Sequence, residues 1–255
     1  MLLLIDIGNT NITIGASDDN RLVGDWRVST RKYGTADEFW MLLRALLDSS
    51  KLSFNRIHGA AVCSVVPSLT STVENLLNER LSIPVISISS KLDLGVTIDC
   101  ENPESVGADR LCNAVAGYQK YGGPLVIVDF GTATTFDIIS EKGQYLGGII
   151  APGPETAISS LHTAAAKLPT VELQFPESLI GKNTEKSMQS GIMFGTVAMI
   201  DGLNQRLVSE LGSSSKLIAT GGLSMVFFSA LETVNVIEPN LTLDGLKIIF
   251  DRSVK

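Results

Sequence analysis

The chain has 255 residues, of which 44% are hydrophobic and 18% are charged, a composition typical of a folded protein with a large core. Its formal net charge of −7 argues against broad binding to nucleic acid, which needs a basic surface. No apolar run reaches the roughly 20 residues of a membrane helix. The apolar start lacks the basic segment of a signal peptide and contains Asp6, so the predicted location is the cytoplasm.

Few residues of the sequence are suited to binding a transition metal. The three cysteines are Cys63, Cys100 and Cys112, and the two histidines are His58 and His162. The odd cysteine count and the absence of a Cys-x-x-Cys spacing argue against a disulfide framework and against a zinc site. We therefore expect the cysteines to be buried or incidental thiols.

Two similar stretches, residues 3–15 and 126–138, organise the chain. In each, a run rich in β-branched residues leads to an acid, Asp6 or Asp129, then to an apolar residue, a glycine and polar residues, and finally to a second apolar run. This pattern predicts a β-hairpin with a carboxylate at its turn. Glycine allows close approach of a ligand, and the neighbouring hydroxyl and N–H groups can bind phosphate oxygens. The alternative is two ordinary hairpins in which Asp and Gly only form turns.

The segments between the two stretches alternate between strands and helices. The residues after the first stretch predict a turn at 15–20 and then a strand. Thr35 and Glu38 form a capping-box signature before apolar residues at helical spacing. Residues 57–66 predict a buried strand, and a helix follows from Ser68 to about Leu81. This alternation indicates a layered α/β fold.

The segment from Ser105 leads into a further helix, with Asp109 and Arg110 near its start. An acid at a helix start interacts favourably with the helix dipole. Position alone therefore leaves open a structural role for Asp109, with Arg110 in solvent.

The second half contains a predicted helix near 155–166 and a long one near 185–211. Small residues on the long helix permit close packing of another element: Ser190, Gly191, Gly195 and Ala198. The strand predicted at 217–223 ends in a glycine pair and resembles residues 57–66, which is a second sign of duplication.

Two levels of resemblance follow from these motifs. The repeated Asp-x-Gly-x-Thr pattern resembles the paired phosphate loops of the acetate and sugar kinase, heat-shock and actin superfamily. From end to end, the chain also resembles type III pantothenate kinases, whose motifs appear here in order and at the family's spacing. Those motifs are Asp6–Thr10, Gly107–Arg110, Asp129–Thr135, Gly181–Thr184 and Asn240–Leu246.

The resemblance implies a fold and a reaction. The fold is α/β, with two duplicated ribonuclease-H-like (actin-like ATPase) lobes and a nucleotide cleft between them. We expect residues 1–117 to form the lobe with the first phosphate loop. Residues 118–255 are expected to form the lobe with the second loop and the glycine pair, where the adenosine of ATP can lie against bare backbone. The implied enzyme phosphorylates pantothenate with ATP to give 4'-phosphopantothenate, the first step of coenzyme A biosynthesis.

The resemblance also assigns roles to single residues. The ATP-binding residues are Asp6, Ile7, Gly8, Asn9, Thr10, Asn11, Ile12, Thr13 and Thr132. The pantothenate-binding residues are Gly107, Ala108, Asp109, Arg110 and Thr184. Asp109 is the implied general base, and the Arg110 guanidinium suits the substrate carboxylate. Asp129 is the implied ligand of a monovalent cation, K+ or NH4+. Mg2+ is expected to arrive with ATP, and the family implies a homodimer.

One position departs from the family pattern. Cys100 stands where the family commonly has Tyr, and losing that side chain weakens substrate binding by roughly 1 to 3 kcal/mol. Cys100 therefore leaves open a kinase for another small hydroxyl compound. Two further alternatives come from the resemblance: a non-catalytic accessory relative, and an actin- or chaperone-like module that uses ATP only to switch conformation.

Overall fold

A computed structural model describes residues 1–19, 21–30, 34–212 and 214–254. The chain divides into two compact units, the first comprising Met1–Gln119 with Leu241–Lys255 and the second Lys120–Asn240. The sequence analysis placed the C-terminal residues with the second lobe. They belong instead to the first unit, because their helix packs against that unit's central strands.

The elements follow one another with little irregular chain between them. The strands are β1 (Leu2–Ile7), β2 (Asn11–Asp18), β3 (Arg21–Ser29), β4 (Gly59–Ser64), β5 (Val85–Ser87), β6 (Thr97–Ile98), β7 (Leu125–Phe130), β8 (Ala133–Ile139), β9 (Gln144–Pro152), β10 (Lys216–Thr220) and β11 (Val236–Ile237). The helices are α1 (Ala36–Ser49), α2 (Pro67–Leu81), α3 (Ala108–Tyr121), α4 (Pro154–Ala164), α5 (Thr184–Leu211), α6 (Ser224–Phe228) and α7 (Leu241–Ser253).

The sheet of the first unit has the order β3-β2-β1-β4-β5. Strand β1 is antiparallel to β2 and parallel to β4. Because side chains alternate along a strand, β1 contributes to two cores. Leu3, Ile5 and Ile7 pack with α1 and α2, whereas Leu2 and Leu4 pack with α3 and α7. Helices thus cover the central strands on both faces.

The second unit repeats this arrangement. Five of its strands follow the order β11-β10-β7-β8-β9, with β7 antiparallel to β8 and parallel to β10. Strand β7 therefore corresponds to β1, β8 to β2, β9 to β3, β10 to β4 and β11 to β5. The core on one face of this sheet contains residues of α5 and α6. The predicted duplication of an α/β unit is confirmed.

Most local predictions hold, and one turn was misplaced. The capping box of α1 is present, with the Thr35 N–H donating to Glu38 Oε2 at 2.7 Å and the Glu38 N–H to Thr35 Oγ1 at 3.2 Å. The turn predicted at 15–20 begins too early, because Gly15 pairs with both Leu4 and Asp25 and β2 continues to Asp18. Position 20 of that predicted turn lies outside the described residues.

Candidate active site

The first phosphate hairpin joins β1 to β2. Asp6 lies near the end of β1 and pairs with Thr13, and four residues separate the last paired positions, Ile7 and Ile12. The Gly8 N–H closes the turn by donating to Asn11 O at 3.0 Å. A Cβ at Gly8 would lie 2.9 Å from that same oxygen, so the turn needs glycine.

The end of β3 anchors this hairpin. The Thr30 N–H donates to Thr10 O at 2.8 Å, and the Thr30 hydroxyl donates to Gly8 O at 2.7 Å. Asn9 and Thr10 are exposed at the tip of the turn. The tip of the loop is thus exposed and its base is fixed, a geometry suited to a phosphate-binding turn.

Asp109 and Arg110 lie in the first turn of α3, and both are half-buried. Asp109 Oδ1 accepts a hydrogen bond from the Arg110 N–H at 2.8 Å. A Cβ at Gly107 would lie 2.5 Å from that carboxylate oxygen. The glycine of the Gly107–Arg110 motif therefore leaves space for the acid, which the sequence pattern alone did not reveal.

Within the first unit, Asp6 and Asp109 both lie near the Cys63 thiol. Cys63 on β4 pairs in register with Asp6, and Cys112 is on α3 with Asp109. The pKa of the buried Cys63 thiol is raised well above its usual 9.0 by its hydrogen bond with Cys112, by burial, and by negative charges that include Asp6 and Asp109. Both carboxylates therefore lie near one neutral thiol, on the face of the sheet that α3 covers.

Helix α7 holds α3 in place. A Cβ at Gly245 would lie only 2.1 Å from Cys112 O, so the two helix backbones are in close contact. The Thr242 hydroxyl donates to Oδ1 of the fully buried Asn113 at 2.8 Å. The sequence analysis included these α7 residues in a family motif but assigned them no role. In the structure they hold in place the helix that carries Asp109.

The second phosphate hairpin joins β7 to β8. Asp129 pairs with Thr135, and three residues separate Phe130 from Thr134. The carbonyl oxygen of Thr132 accepts hydrogen bonds from the Gly153 N–H at 3.1 Å and from the Thr156 hydroxyl at 2.5 Å. This loop is therefore anchored by the junction between β9 and α4.

Thr184 is the first residue of α5 and is exposed. The preceding Asn183 caps the helix, with its Oδ1 accepting from the Lys186 N–H at 2.8 Å. The predicted site residues thus fall into two groups. The first unit contains the 6–13 loop and the 107–110 motif, and the second contains Asp129, Thr132 and Thr184.

Among the described residues, no group of three or more His, Cys, Asp or Glu side chains is arranged to hold a metal ion. None of the helices in that part of the chain is long and apolar enough to cross a bilayer. Asp129 and Asp6 are each half-buried at a hairpin turn, where a carboxylate can share a cation with phosphate oxygens and water.

Comparison with known proteins identifies the family. The sequence profile of type III pantothenate kinases matches residues 2–206. The chain is 45% identical over 255 residues to a type III pantothenate kinase of an Exiguobacterium species, covering 100% of both chains. It is also 45% identical over 253 residues to the type III pantothenate kinase of Moorella thermoacetica, covering 99% of this chain and 100% of that one. The chain belongs to the type III pantothenate kinase family. The predicted family is confirmed.

Solved structures give the same fold for this member of the family. A candidate Baf-family transcriptional activator from Campylobacter jejuni superposes with a TM-score of 0.61 at 22% identity, covering 98% of this chain and 97% of that one. The activator of 2-hydroxyisocaproyl-CoA dehydratase from Clostridium difficile, solved with bound ADPNP, gives a TM-score of 0.53 at 13% identity, covering 99% and 95%. At these identities the likeness concerns the fold alone, and the predicted actin-like class is confirmed.

Proposed function

We propose that this protein transfers the γ-phosphoryl group of ATP to the hydroxyl group of pantothenate, giving ADP and 4'-phosphopantothenate in the first step of coenzyme A biosynthesis. One observation carries the proposal beyond family membership. The Gly107–Arg110 motif forms the start of α3, and Asp109 there lies on the same face of the sheet as Asp6 of the first phosphate hairpin.

Asp109 is the proposed general base. Its carboxylate accepts the hydroxyl proton as the pantothenate oxygen bonds to the γ-phosphorus and the bond to the bridging oxygen of ADP breaks. Phosphoryl transfer depends mainly on positioning and charge neutralisation, so a carboxylate that orients the nucleophile is sufficient. The adjacent Arg110 is the proposed partner of the pantothenate carboxylate, since a guanidinium pairs with it through two hydrogen bonds. Gly107, Ala108 and Thr184 are the other proposed contacts.

The two hairpins are the proposed ATP-binding elements. Residues 6–13 and Thr132 present N–H and hydroxyl groups suited to phosphate oxygens. Asp129 is the proposed ligand of K+ or NH4+, and Mg2+ is held mainly by phosphates and water. These cations neutralise phosphate charge when bound. The nucleotide cleft between the lobes stays a prediction.

The first test measures ADP release with Mg-ATP, with and without pantothenate, in potassium and then in sodium buffer. We expect turnover to require both pantothenate and K+. Asp109→Asn should fold normally and lower kcat by about 100- to 10,000-fold, because the base is lost. Asp37→Asn, which removes a first-turn carboxylate from α1, is the matched control and should stay active. Full activity of Asp109→Asn would refute the assignment.

A second candidate is a kinase for another small hydroxyl compound, and Cys100 is the observation that favours it. Burial raises the pKa of the Cys100 thiol, and the positive charge of Arg110 opposes this shift. The thiol therefore lies near the proposed carboxylate partner, where the family commonly has a Tyr. Cys100→Tyr should lower KM for pantothenate if pantothenate is the substrate. Faster turnover of another hydroxyl acid by the unaltered protein would favour the second candidate.

We also propose a cytoplasmic homodimer in which α5 contacts its copy. A Cβ at Gly191, Gly195 or Gly202 would meet no atom within 4 Å, so this stripe permits close helix packing. Light scattering should give the mass of two chains for the unaltered protein and of one for Gly195→Leu. Ser209→Leu, at an exposed position of the same helix, should leave the dimer intact. A monomeric unaltered protein would exclude this assembly.

A further inference from the structure

The end of β10 lies unusually close to the carboxylate of Asp129. Thr220, the last residue of β10, pairs in register with Asp129 on the parallel strand β7. The next residue is Gly221, whose φ of +89° is one that side-chain-bearing residues rarely adopt. A Cβ built on Gly221 would lie 2.3 Å from Asp129 Oδ1, 2.6 Å from Phe130 N and 2.7 Å from Phe130 O.

The Gly221 backbone is held in place by its own hydrogen bonds. Gly221 O accepts hydrogen bonds from the Ser224 N–H at 3.1 Å and from the Ser224 hydroxyl at 2.7 Å. Ser224 is itself almost fully buried. The Gly221 backbone is therefore fixed from its own side.

The opposite side of the contact is equally fixed. Phe130 is 1% exposed, and its ring stacks on Phe227 of α6 with centroids 5.3 Å apart. Its backbone lies in β7, paired with Thr134 across the second hairpin. The Asp129 side chain is the one neighbour that can move at small cost, so a methyl group at position 221 would displace the carboxylate first.

A second glycine lies near the same carboxylate. A Cβ at Gly131 would lie 3.8 Å from Asp129 Oδ1, an ordinary contact distance. The Asp129 carboxylate is therefore near both the turn of its own hairpin and the end of β10, and the bare backbone of Gly221 sets the tighter limit.

We propose that Gly221 is a positioning residue for the reaction, because its missing side chain lets the Asp129 carboxylate occupy its place at the second phosphate hairpin. This inference rests on the proposed function, in which Asp129 binds the monovalent cation. It assigns to Gly221 a role different from lining an adenosine site, which is what the glycine pair suggested in the sequence. The two roles predict different kinetics.

The test compares Gly221→Ala with Gly212→Ala in steady-state assays. Gly212 also has a positive φ, of +112°, but a Cβ there meets no atom within 4 Å, so the control has the backbone strain without the contact. For Gly221→Ala we expect kcat to fall by about 100-fold, the effect of an ångström-scale misplacement. The K+ concentration for half-maximal activity should rise several-fold while KM for ATP changes little. Gly212→Ala should match the unaltered enzyme in all three quantities.

A double-mutant cycle shows whether Gly221 acts through Asp129. In an Asp129→Asn background, adding Gly221→Ala should lower kcat by no more than about twofold, because residues that act as one unit are not additive. An additional loss as large as in the unaltered background would overturn the inference. So would a higher KM for ATP with kcat and K+ dependence unchanged, which is the result expected of an adenosine contact.

A milder variant tests the inference even if Gly221→Ala does not fold. Ser224→Ala removes only the hydroxyl bond to Gly221 O and should shift the K+ dependence in the same direction. If the unaltered protein shows no pantothenate-dependent turnover, the proposed function fails, and the inference is then judged by thermal stabilisation with K+. Stabilisation of the unaltered protein and of Gly212→Ala, but not of Gly221→Ala, would support it, and any other pattern would refute it.

Discussion

The two phosphate hairpins have the same topology but are held in different ways. Each follows a central strand that ends near an aspartate, and each is supported by the residue just after the third strand of its sheet. In the first unit this residue is Thr30, whose N–H donates to Thr10 O. In the second it is Gly153, whose N–H donates to Thr132 O. The main-chain bond has therefore been kept in both copies.

The side-chain support differs between the copies. Thr30 adds a hydroxyl bond of its own to Gly8 O at 2.7 Å. Gly153 cannot do so, because a Cβ there would lie 2.4 Å from Gly131 O and 2.6 Å from Thr132 O. In the second unit the hydroxyl comes instead from Thr156, in the first turn of α4. The shorter turn brings the backbones closer together and moves the side-chain support to another element.

Replacing Gly153 should disturb the second hairpin more than any other single change tested on either hairpin. Gly153→Ala should force the second turn away from the β9–α4 junction and lower kcat by about 100-fold, with destabilisation of about 1 to 3 kcal/mol from overpacking. Steady-state kinetics and thermal melting measure the two effects. Unchanged activity with a normal melting temperature would mean that the turn tolerates the displacement.

Removing each supporting hydroxyl in turn measures how much Thr30 and Thr156 contribute to their hairpins. Thr30→Val removes a half-buried donor to Gly8 O, and we expect a loss of about 1 kcal/mol of unfolding free energy together with a higher KM for ATP. Thr156→Val removes a more exposed donor to Thr132 O, which water can replace, so its effect should be smaller. Chemical denaturation and ATP titration compare the pair directly. A larger effect from Thr156→Val would reverse the ranking of the two anchors.

The smallest expected effect is a change in stability from substituting a carboxylate that hydrogen-bonds near the outer parallel strand of each unit. In the first unit the Ser87 hydroxyl donates to Glu74, and in the second Glu238, just after β11, accepts from Lys120 at 2.9 Å and from the Tyr121 hydroxyl. Burial raises the pKa of Glu238, but the hydrogen bonds from Tyr121 and Lys120 outweigh it and bring the pKa below its usual 4.5.

This lowered pKa fixes the sign of a pH effect. The charged form of Glu238 contributes stability above pH 4.5, and the contribution is lost as the pH falls through the lowered pKa of the folded state. Glu238→Gln keeps an acceptor at this position and should therefore cost only about 0.5 kcal/mol at pH 7 and nothing at strongly acidic pH. Glu74→Gln, which keeps an acceptor for Ser87, is the control. Urea unfolding at several pH values measures the difference in unfolding free energy between Glu238→Gln and the unaltered protein. A difference that stays constant with pH would contradict the prediction.

The sequence predicted the elements whose signals are local. Alternation and turn residues predicted the two hairpins, and Thr35 with Glu38 predicted the start of α1. The duplication was visible because both copies kept the acid and the glycine of the turn. The roles proposed for Asp109 and Asp129 came from the family resemblance, since an acid at a helix start or a turn has ordinary structural explanations.

The contacts that fix the site were not predictable, because they join residues distant in the chain. Gly245 looks like a weak helix residue until Cys112 O is found against it. Gly153 and Gly221 look like ordinary turn residues, although each lies against the second phosphate hairpin. Glycine in a sequence does not say which backbone or carboxylate it approaches, and only the folded arrangement of strands and helices supplies that information.

The return of α7 to the first unit has a consequence for how the chain folds during synthesis. The second unit is continuous in sequence, whereas one face of β1, with Leu2 and Leu4, is buried in part by α7 residues such as Leu243 and Leu246. Contacts between the two ends of a chain must wait until both ends exist. Strand β1 is therefore fully buried only after α7 has been synthesised, and the same holds for the locking of the helix that carries Asp109.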